Sequence, residues 1–288
     1  MASTRQIKSR IRSVRSNRQI TKAMELVAAS KLRKAQDRTL ATRQFTDAAI
    51  EVLNALADTT DVMHSPLYQV RPIRNRLIIV LTSDRGLAGA YNANALKLLT
   101  KQLRADDAKN IRTTVITVGR KGSSFVAKLR DVEARGSYNV SDAASVTEIR
   151  PILLSIVKMF KNQEVDAVEV ITTRFVNSFT QTAEMTTLLP AGTQELEGLD
   201  KPRTDMLFEP DAEEVLDYAT TRLVEAHLYQ AVLDARASEH AMRRVAMKNA
   251  SDNAGEIVDS LTLEMNKVRQ AAITQELSEI SAGVEAMK

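Results

Sequence analysis

The chain has 288 residues, 44% of them hydrophobic and 26% charged, with a formal net charge of +4 at neutral pH, which is the composition of a folded globular protein rather than a disordered tail. It contains no cysteine and only three histidines, His64, His227 and His240, none at helical metal-ligand spacing; this excludes disulfides, thiolate nucleophiles and cysteine-ligated metals and argues against a histidine metal centre. The longest purely apolar run, residues 77–81, is far short of the ~18 residues a membrane span needs, and aromatic residues, at 4%, are too few for the stacking platforms of single-strand nucleic-acid binders.

Neither glycine nor proline occurs from residue 1 to residue 65. Ser3 and Gln6 read as a capping box ahead of the apolar series Ile7, Ile11, Val14, so a helix is predicted to start near Ser3. It is predicted to run to about Asp58, where residues 58–61 (DTTD) collect poor helix formers. At 1.5 Å per residue such a helix measures roughly 80 Å, against a usual globular helix of ~11 residues.

The middle of the chain reads differently. Residues 76–82 (RLIIVLT), 113–119 (TTVITVG) and 165–172 (VDAVEVIT) are β-branched runs that alternate with helical stretches at 92–104, 122–130 and 146–161. That alternation predicts a small parallel α/β sheet. Residues 190–210, with three prolines and Gly192 and Gly198, are predicted to be a loop. Pro210, Asp211 and Glu214 then open a second long helix, whose apolar series Val215, Ala219, Leu223, Ala226, Leu233, Val245 continues through Ile257, Leu261, Met265, Val268 and Ile273. It spans roughly 105 Å.

Helices of this length need a partner along their sides. The predicted fold class is α/β: a long antiparallel coiled coil of the N- and C-terminal helices (residues 1–65 and 210–288) with a parallel-sheet α/β domain (66–209) inserted between them. The seam is predicted to be small, with Ala23, Ala28, Ala29 and Ala35 facing Ala219, Ala226, Ala237, Ala241 and Ala246, and with Arg18, Thr21 and Glu25 interrupting the heptad.

Charge is uneven. Residues 1–43 hold twelve Lys or Arg against two acids, a net +10, whereas the whole chain carries +4. A basic N-terminal rod on a mildly acidic body should seek an acidic partner: nucleic-acid phosphate, an anionic membrane surface, or acidic loops of another protein. No helix-turn-helix, zinc finger or aromatic–basic motif speaks for nucleic acid, and the basic residues surround the helix without the broad apolar face of a membrane-surface helix.

Evidence for catalysis is thin. Residues 83–89 (SDRGLAG) follow the first strand and precede a helix, where α/β folds place phosphate-binding turns. They lack the dinucleotide glycine spacing, and residues 119–124 (GRKGSS) do not fit the P-loop pattern, so both read as tight strand-to-helix turns. No Ser/His/acid constellation assembles, and His227 and His240, on the long helix, are expected at its surface. No catalytic residue, cofactor or metal site is predicted.

Four motifs nevertheless point to a family. Residues 20–31 (ITKAMELVAASK), 83–87 (SDRGL), 244–250 (RVAMKNA) and 266–277 (NKVRQAAITQEL) resemble, in order and over essentially the whole chain, the γ subunits of F-type ATP synthases of bacterial type. The resemblance implies a non-catalytic central rotor shaft that couples proton- or ion-driven rotation of the c-ring to conformational changes at the β subunits. Its implied partners are the α and β subunits of the α3β3 hexamer, the ε subunit and the c-ring, at the cytoplasmic face of the bacterial cell membrane and without a membrane span of its own. It also implies partner contacts at Lys22 and Met24 on the shaft, at Arg85 of the DRGL turn, and at Arg243, Gln270, Thr274 and Glu276 near the C-terminal end. The Arg- and Ser-rich start has a transit-peptide composition, but the family match begins by Ile7 and is expected to leave no room for a cleaved leader. The short 190–210 stretch and the missing cysteines are expected to exclude the regulatory insertion of chloroplast and cyanobacterial relatives. The alternative reading is a basic coiled-coil scaffold that binds nucleic acid through its N-terminal rod.

Overall fold

The computed structural model describes residues 4–57, 65–130, 132–191 and 212–286. In chain order the elements are α1 (Thr4–Ala57), β1 (Asn75–Leu81), α2 (Tyr91–Asp107), β2 (Arg112–Val118), α3 (Arg120–Val126), β3 (Glu133–Tyr138), α4 (Val146–Lys161), β4 (Ala167–Phe175), β5 (Gln181–Leu189) and α5 (Ala212–Ala286). The breaker-free ends give the two long helices, of 54 and 75 residues. The predicted caps at Ser3 and at 210–211, most of the 190–210 loop, and His64 lie outside the described residues.

The chain divides into two compact units, one formed by Met1–Ala28 with Arg244–Lys288 and the other by Ala29–Arg243. In the first, Ile7, Ile11 and Val14 of α1 pack on Val258, Leu261, Met265 and Val268 of α5. Further along α1, Arg18 lies against Gly255, so rising numbers on one helix meet falling numbers on the other and the pair is antiparallel. A Cβ on Gly255 would stand 3.2 Å from the Arg18 guanidinium carbon. The missing side chain therefore seats a long cation that a heptad seam has no room for.

In the second unit β1 is the centre of a five-stranded sheet of order β3-β2-β1-β4-β5. β1 pairs in parallel with β2 and β4, β2 in parallel with β3, and β4 antiparallel with β5. The apolar run of β1 is buried on both faces, as a central parallel strand must be. Leu77, Ile79 and Leu81 join a core with Ile149, Ile152, Ile156 and Phe160 of α4 and Leu223, Leu228 and Val232 of α5. Ile78 and Val80 join a second core with Ala95 and Leu99 of α2 and Val126 of α3. Alternate residues along one strand thus hold a helix layer on each face.

Two strands were not among the predicted ones. β3 (EARGSY) and β5 (QTAEMTTLL) are polar edge strands, and β5 makes the sheet mixed rather than wholly parallel. Of the predicted alanine seam, Ala35 packs with Ala237 and Ala241, and Ala28 and Ala226 are also buried. Ala23 instead faces solvent, and Glu25, expected to interrupt the packing, is buried.

Candidate functional site

The strand order reverses at β1, whose neighbours β2 and β4 are reached in opposite directions along the sheet. In doubly wound sheets the loops at the carboxyl ends of such strands are the exposed functional ones, and residues 83–89 occupy that place after β1. Their turn is built from local hydrogen bonds. Asn92 Oδ1 accepts from the Ser83 amide at 2.9 Å and its Nδ2 donates to Ser83 Oγ at 2.8 Å. Ser83 Oγ donates to the Arg85 carbonyl at 2.6 Å. Asp84 Oδ1 accepts from the Arg120 amide at 3.1 Å, tying the turn to α3. Leu87 and Gly89 take positive φ, 62° and 56°. With the chain folded back this way, Arg85 and Leu87 are left exposed, Leu87 at 62%.

The neighbouring turn explains two glycines. Gly119, at φ 95°, crosses over Thr82, where a Cβ would stand 2.2 Å from the Thr82 carbonyl oxygen. Gly122 donates its amide to Thr82 Oγ1 at 2.8 Å. Close backbone approach, rather than a phosphate cradle, accounts for both.

Beneath the 83–89 turn lies a buried polar network on α5. Arg243 Nη2 donates to the carbonyls of Arg85 and Gly86, both at 3.4 Å, and pairs with Glu239 Oε1 at 2.8 Å. Glu239 Oε2 accepts from Arg236 Nη1 at 2.9 Å, while Arg236 Nη2 reaches the Val140 carbonyl and lies 3.9 Å from Asp84 Oδ2. Tyr91 is buried beside this group, and burial, followed by the Glu239 charge, pushes its phenol well above its ordinary value. Burial works against the Arg236 charge, but Glu239, Tyr91 and Asp84 outweigh it and hold the guanidinium more firmly protonated.

His240 corrects the expectation of a surface histidine. It is 2% exposed, and burial drives its pKa down despite Glu239 and Asp142 nearby. The long helix carries this position into the interior because α5 is covered on several sides in the second unit: residues 223–241 alternate between fully and partly buried all round the helix.

The resemblance-derived residues divide between the two units. Arg85 and Arg243 come together in the second, though Arg243 spends its guanidinium on the chain's own carbonyls and on Glu239, leaving Arg85 as the exposed cation. In the first unit Lys22 pairs with Glu25 at 2.9 Å and Met24 is half-buried. Arg15, Arg18, Gln19 and Lys22 of α1 face Ser251, Asp252 and Asp259 of α5 across an open cleft of about 770 Å³. Gln270, Thr274 and Glu276 are exposed, with Thr274 Oγ1 bonded to the Gln270 carbonyl one turn back. Residues 269–283 are exposed throughout, and Ile273, Leu277 and Ile280, at 46%, 63% and 64% exposed, form an i, i+4, i+7 apolar stripe among them. Sequence reasoning missed Arg236, Glu239 and Tyr91. The i, i+3 and i, i+4 spacing of Arg236, Glu239 and Arg243 between alanines was the available signal.

Among the described residues no group of His, Cys, Asp and Glu is arranged to hold a metal ion, and no described helix is long and apolar enough to cross a membrane.

The family model described as ATP synthase matches residues 3–287. The ATP synthase gamma chain of Opitutus terrae is 43% identical over 295 residues, covering 98% of each chain, and that of Stenotrophomonas maltophilia is 39% identical over 288 residues, covering both chains fully. With the family model and these full-length relatives in agreement, the chain belongs to the ATP synthase gamma chain family. Its fold is similar to chains in two solved assemblies. One is the Euglena gracilis mitochondrial ATP synthase with OSCP, F1 and c-ring, with a TM-score of 0.71, 21% identity and coverage of 99% of this chain and 94% of that one. The other is the central stalk and c-ring of the Tetrahymena thermophila mitochondrial enzyme, with a TM-score of 0.61, 24% identity and coverage of 81% and 99%. None of these relatives supports a nucleic-acid scaffold.

Proposed function

We propose that this chain is the central rotor shaft of an F-type ATP synthase, coupling ion-driven c-ring rotation to conformational changes at the catalytic β subunits. The observation that carries the reading is the full-length match to gamma chains. Two physical features support it. The terminal helices pack antiparallel, as a chain that leaves and returns along one shaft requires, and the exposed apolar stripe Ile273, Leu277, Ile280 calls for a sleeve around the C-terminal helix. In this reading the α and β subunits form that sleeve, and the α/β domain faces the ε subunit and the c-ring. The chain works as a peripheral subunit at the cytoplasmic face of a bacterial membrane. Residues 1–65 and 210–288 act as shaft and 66–209 as the docking domain.

The shaft contributes no catalytic residue. By linkage, its angle biases the β subunits only through contact free energies that differ among their open and closed states. Lys22, Met24, Arg85, Gln270, Thr274 and Glu276 are the proposed contact residues, and Arg243 joins them through the turn it holds. The basic excess of residues 1–43, twelve Lys or Arg against two acids, favours acidic partner loops.

The test is reconstitution with α and β chains. A stoichiometric α3β3γ complex with ATP-driven unidirectional rotation of a probe on this chain is expected. An assembled complex that hydrolyses ATP with this chain stationary would refute the proposal.

A further inference from the structure

In the unit Ala29–Arg243 the seam between the two terminal helices is smooth. Leu32 and Ala35 of α1 lie on Ala237 and Ala241 of α5, with Phe175 of β4 alongside. Ala35 against Ala237 and Ala241 brings the helix axes close and leaves Leu32 as the large side chain of this cluster, so sliding or turning one helix against the other forfeits fewer contacts than in a seam of large knobs. A leucine zipper fixes register through deep interdigitation. Here the register needs another source.

The loop between β3 and α4 is gripped from both helices. From α1, Lys31 Nζ donates to Asp142 Oδ2 at 2.5 Å. Seven residues on, and so on the same face, Arg38 Nη1 donates to the carbonyls of Asp142, at 3.5 Å, and Ala143. From α5, Arg236 Nη2 donates to the Val140 carbonyl, and one turn later His240 Nε2 lies 3.7 Å from Asp142 Oδ1. α1 therefore holds residues 140–143 at two points two turns apart, whereas α5 holds them at one, the Arg236–Val140 hydrogen bond, with His240 close to Asp142 but not bonded to it. The two points on α1 resist both translation along the axis and rotation about it, which one point does not.

The loop is itself anchored, so it is a fixed reference for both helices. Val140 and Ala144 are buried in the main core. Ser141 donates its amide and its hydroxyl to Glu148, at 3.2 and 3.0 Å, and Ser145 with Glu148 forms the capping box that starts α4. The α5 side is further secured by Leu223, Leu228 and Val232, which share a core with β1 and β4. The α1 side meets α5 through the alanine seam, and there the grip of Lys31 and Arg38 matters most.

We propose that residues 140–144 are a register lock for the helix pair, with Arg38 and Asp142 as the positioning residues that make α1 and α5 turn as one body. The inference rests on the rotor reading and adds to it the route by which load is shared between the two helices. With the lock intact both helices carry torque in parallel. With it broken, α1 slips on its smooth seam and α5 carries the torque alone.

The test uses the whole α3β3γ complex with a rotation probe on an exposed position of the α/β domain, Ser124→Cys, in a chain that has no other cysteine. Arg38→Ala combined with Asp142→Ala is expected to keep ATP-driven rotation while the angular variance within each dwell about doubles, because one helix now bears a load that two packed elements shared. Arg38→Lys, which keeps the charge and reaches one carbonyl, is expected to give an intermediate variance. A purely structural role would lower complex yield or melting temperature and leave the variance unchanged, and that result overturns the lock. Should the double variant fail to assemble, the full-length Arg38→Ala chain alone carries the test: amide exchange at Ala144 and Ser145 must accelerate about tenfold, and unchanged exchange overturns the proposal. A wild-type complex that assembles but does not rotate would overturn the rotor reading itself, and the lock with it.

Discussion

Replacing Arg243 by alanine separates an internal tie from a partner contact. The Arg243 side chain is 12% exposed and pairs at 2.8 Å with Glu239, itself 5% exposed. Breaking one partner out of a buried ion pair costs about 3–5 kcal/mol when the remaining charge is stranded. Glu239 is not stranded, because Arg236 stays at 2.9 Å, so about 1–2 kcal/mol of that penalty applies. The two bonds to the Arg85 and Gly86 carbonyls are long, at 3.4 Å, and contribute about 0.5 kcal/mol each. The total is about 2–3 kcal/mol, which for a chain of this size lowers the melting temperature by roughly 5 °C. Thermal unfolding of the full-length chain by circular dichroism measures the shift, and hydrogen exchange of amides 83–89 reports whether the turn loosens. Arg243→Lys should fall between, since an ammonium pairs with Glu239 but does not fork to both carbonyls. An isolated variant that melts like wild type with unchanged exchange would refute this internal tie. Loss of coupled rotation in the complex alone would then assign Arg243 to a direct partner contact.

Gly119→Ala should destabilise the chain by about 3 kcal/mol or more, because the new Cβ at φ 95° meets backbone atoms of Thr82, which no rotamer change relieves; soluble yield and melting temperature measure it, and a loss below about 1 kcal/mol would contradict the geometry. The buried His240 gives stability a pH dependence. Its folded pKa lies below the ordinary 6.5, so the unfolded chain binds the proton more readily and stability falls as pH drops below 6.5. His240→Gln should flatten that limb in pH-dependent denaturant titrations. Asp142 adds a separate loss below its ordinary 3.8: burial acts to raise its pKa, but the Lys31 hydrogen bond and charge, with His240 and Arg236, outweigh it and lower the pKa, so stability present above that value is lost as the carboxylate takes up its proton.

The parts of the molecule that could be read from the chain are those where one local property dominates. The absence of glycine and proline before residue 66 and from 211 to 254 dictates long helices, since nothing interrupts the hydrogen-bond ladder; the predicted end of the first, near Asp58, lies outside the described residues. The three central strands were legible because strands covered on both faces are runs of apolar and β-branched residues, wholly apolar in the core of β1 and mixed with threonine in β2 and β4. β3 and β5 were not, because an edge strand with one wet face tolerates residues such as Glu133, Arg135 and Gln181, and its pairing is set by the strand beside it rather than by its own composition.

The four family-like motifs, too, were legible as motifs, but what each side chain does was not. A sequence shows that Arg85 and Arg243 are arginines. Only the fold shows that the second lies under the first and is used up on carbonyls 158 and 157 residues away. The same holds for His240. Helical periodicity gives its angular position on α5, but burial depends on what covers that angle, and the cover comes from elements more than ninety residues distant, among them the loop that holds Val140 and Asp142. Local propensity and periodicity determine which segments are helices and strands, because those energies are summed over neighbours in sequence. Which face is buried, and which charge finds a partner, is decided by contacts between distant segments, and those exist only once the tertiary structure has formed.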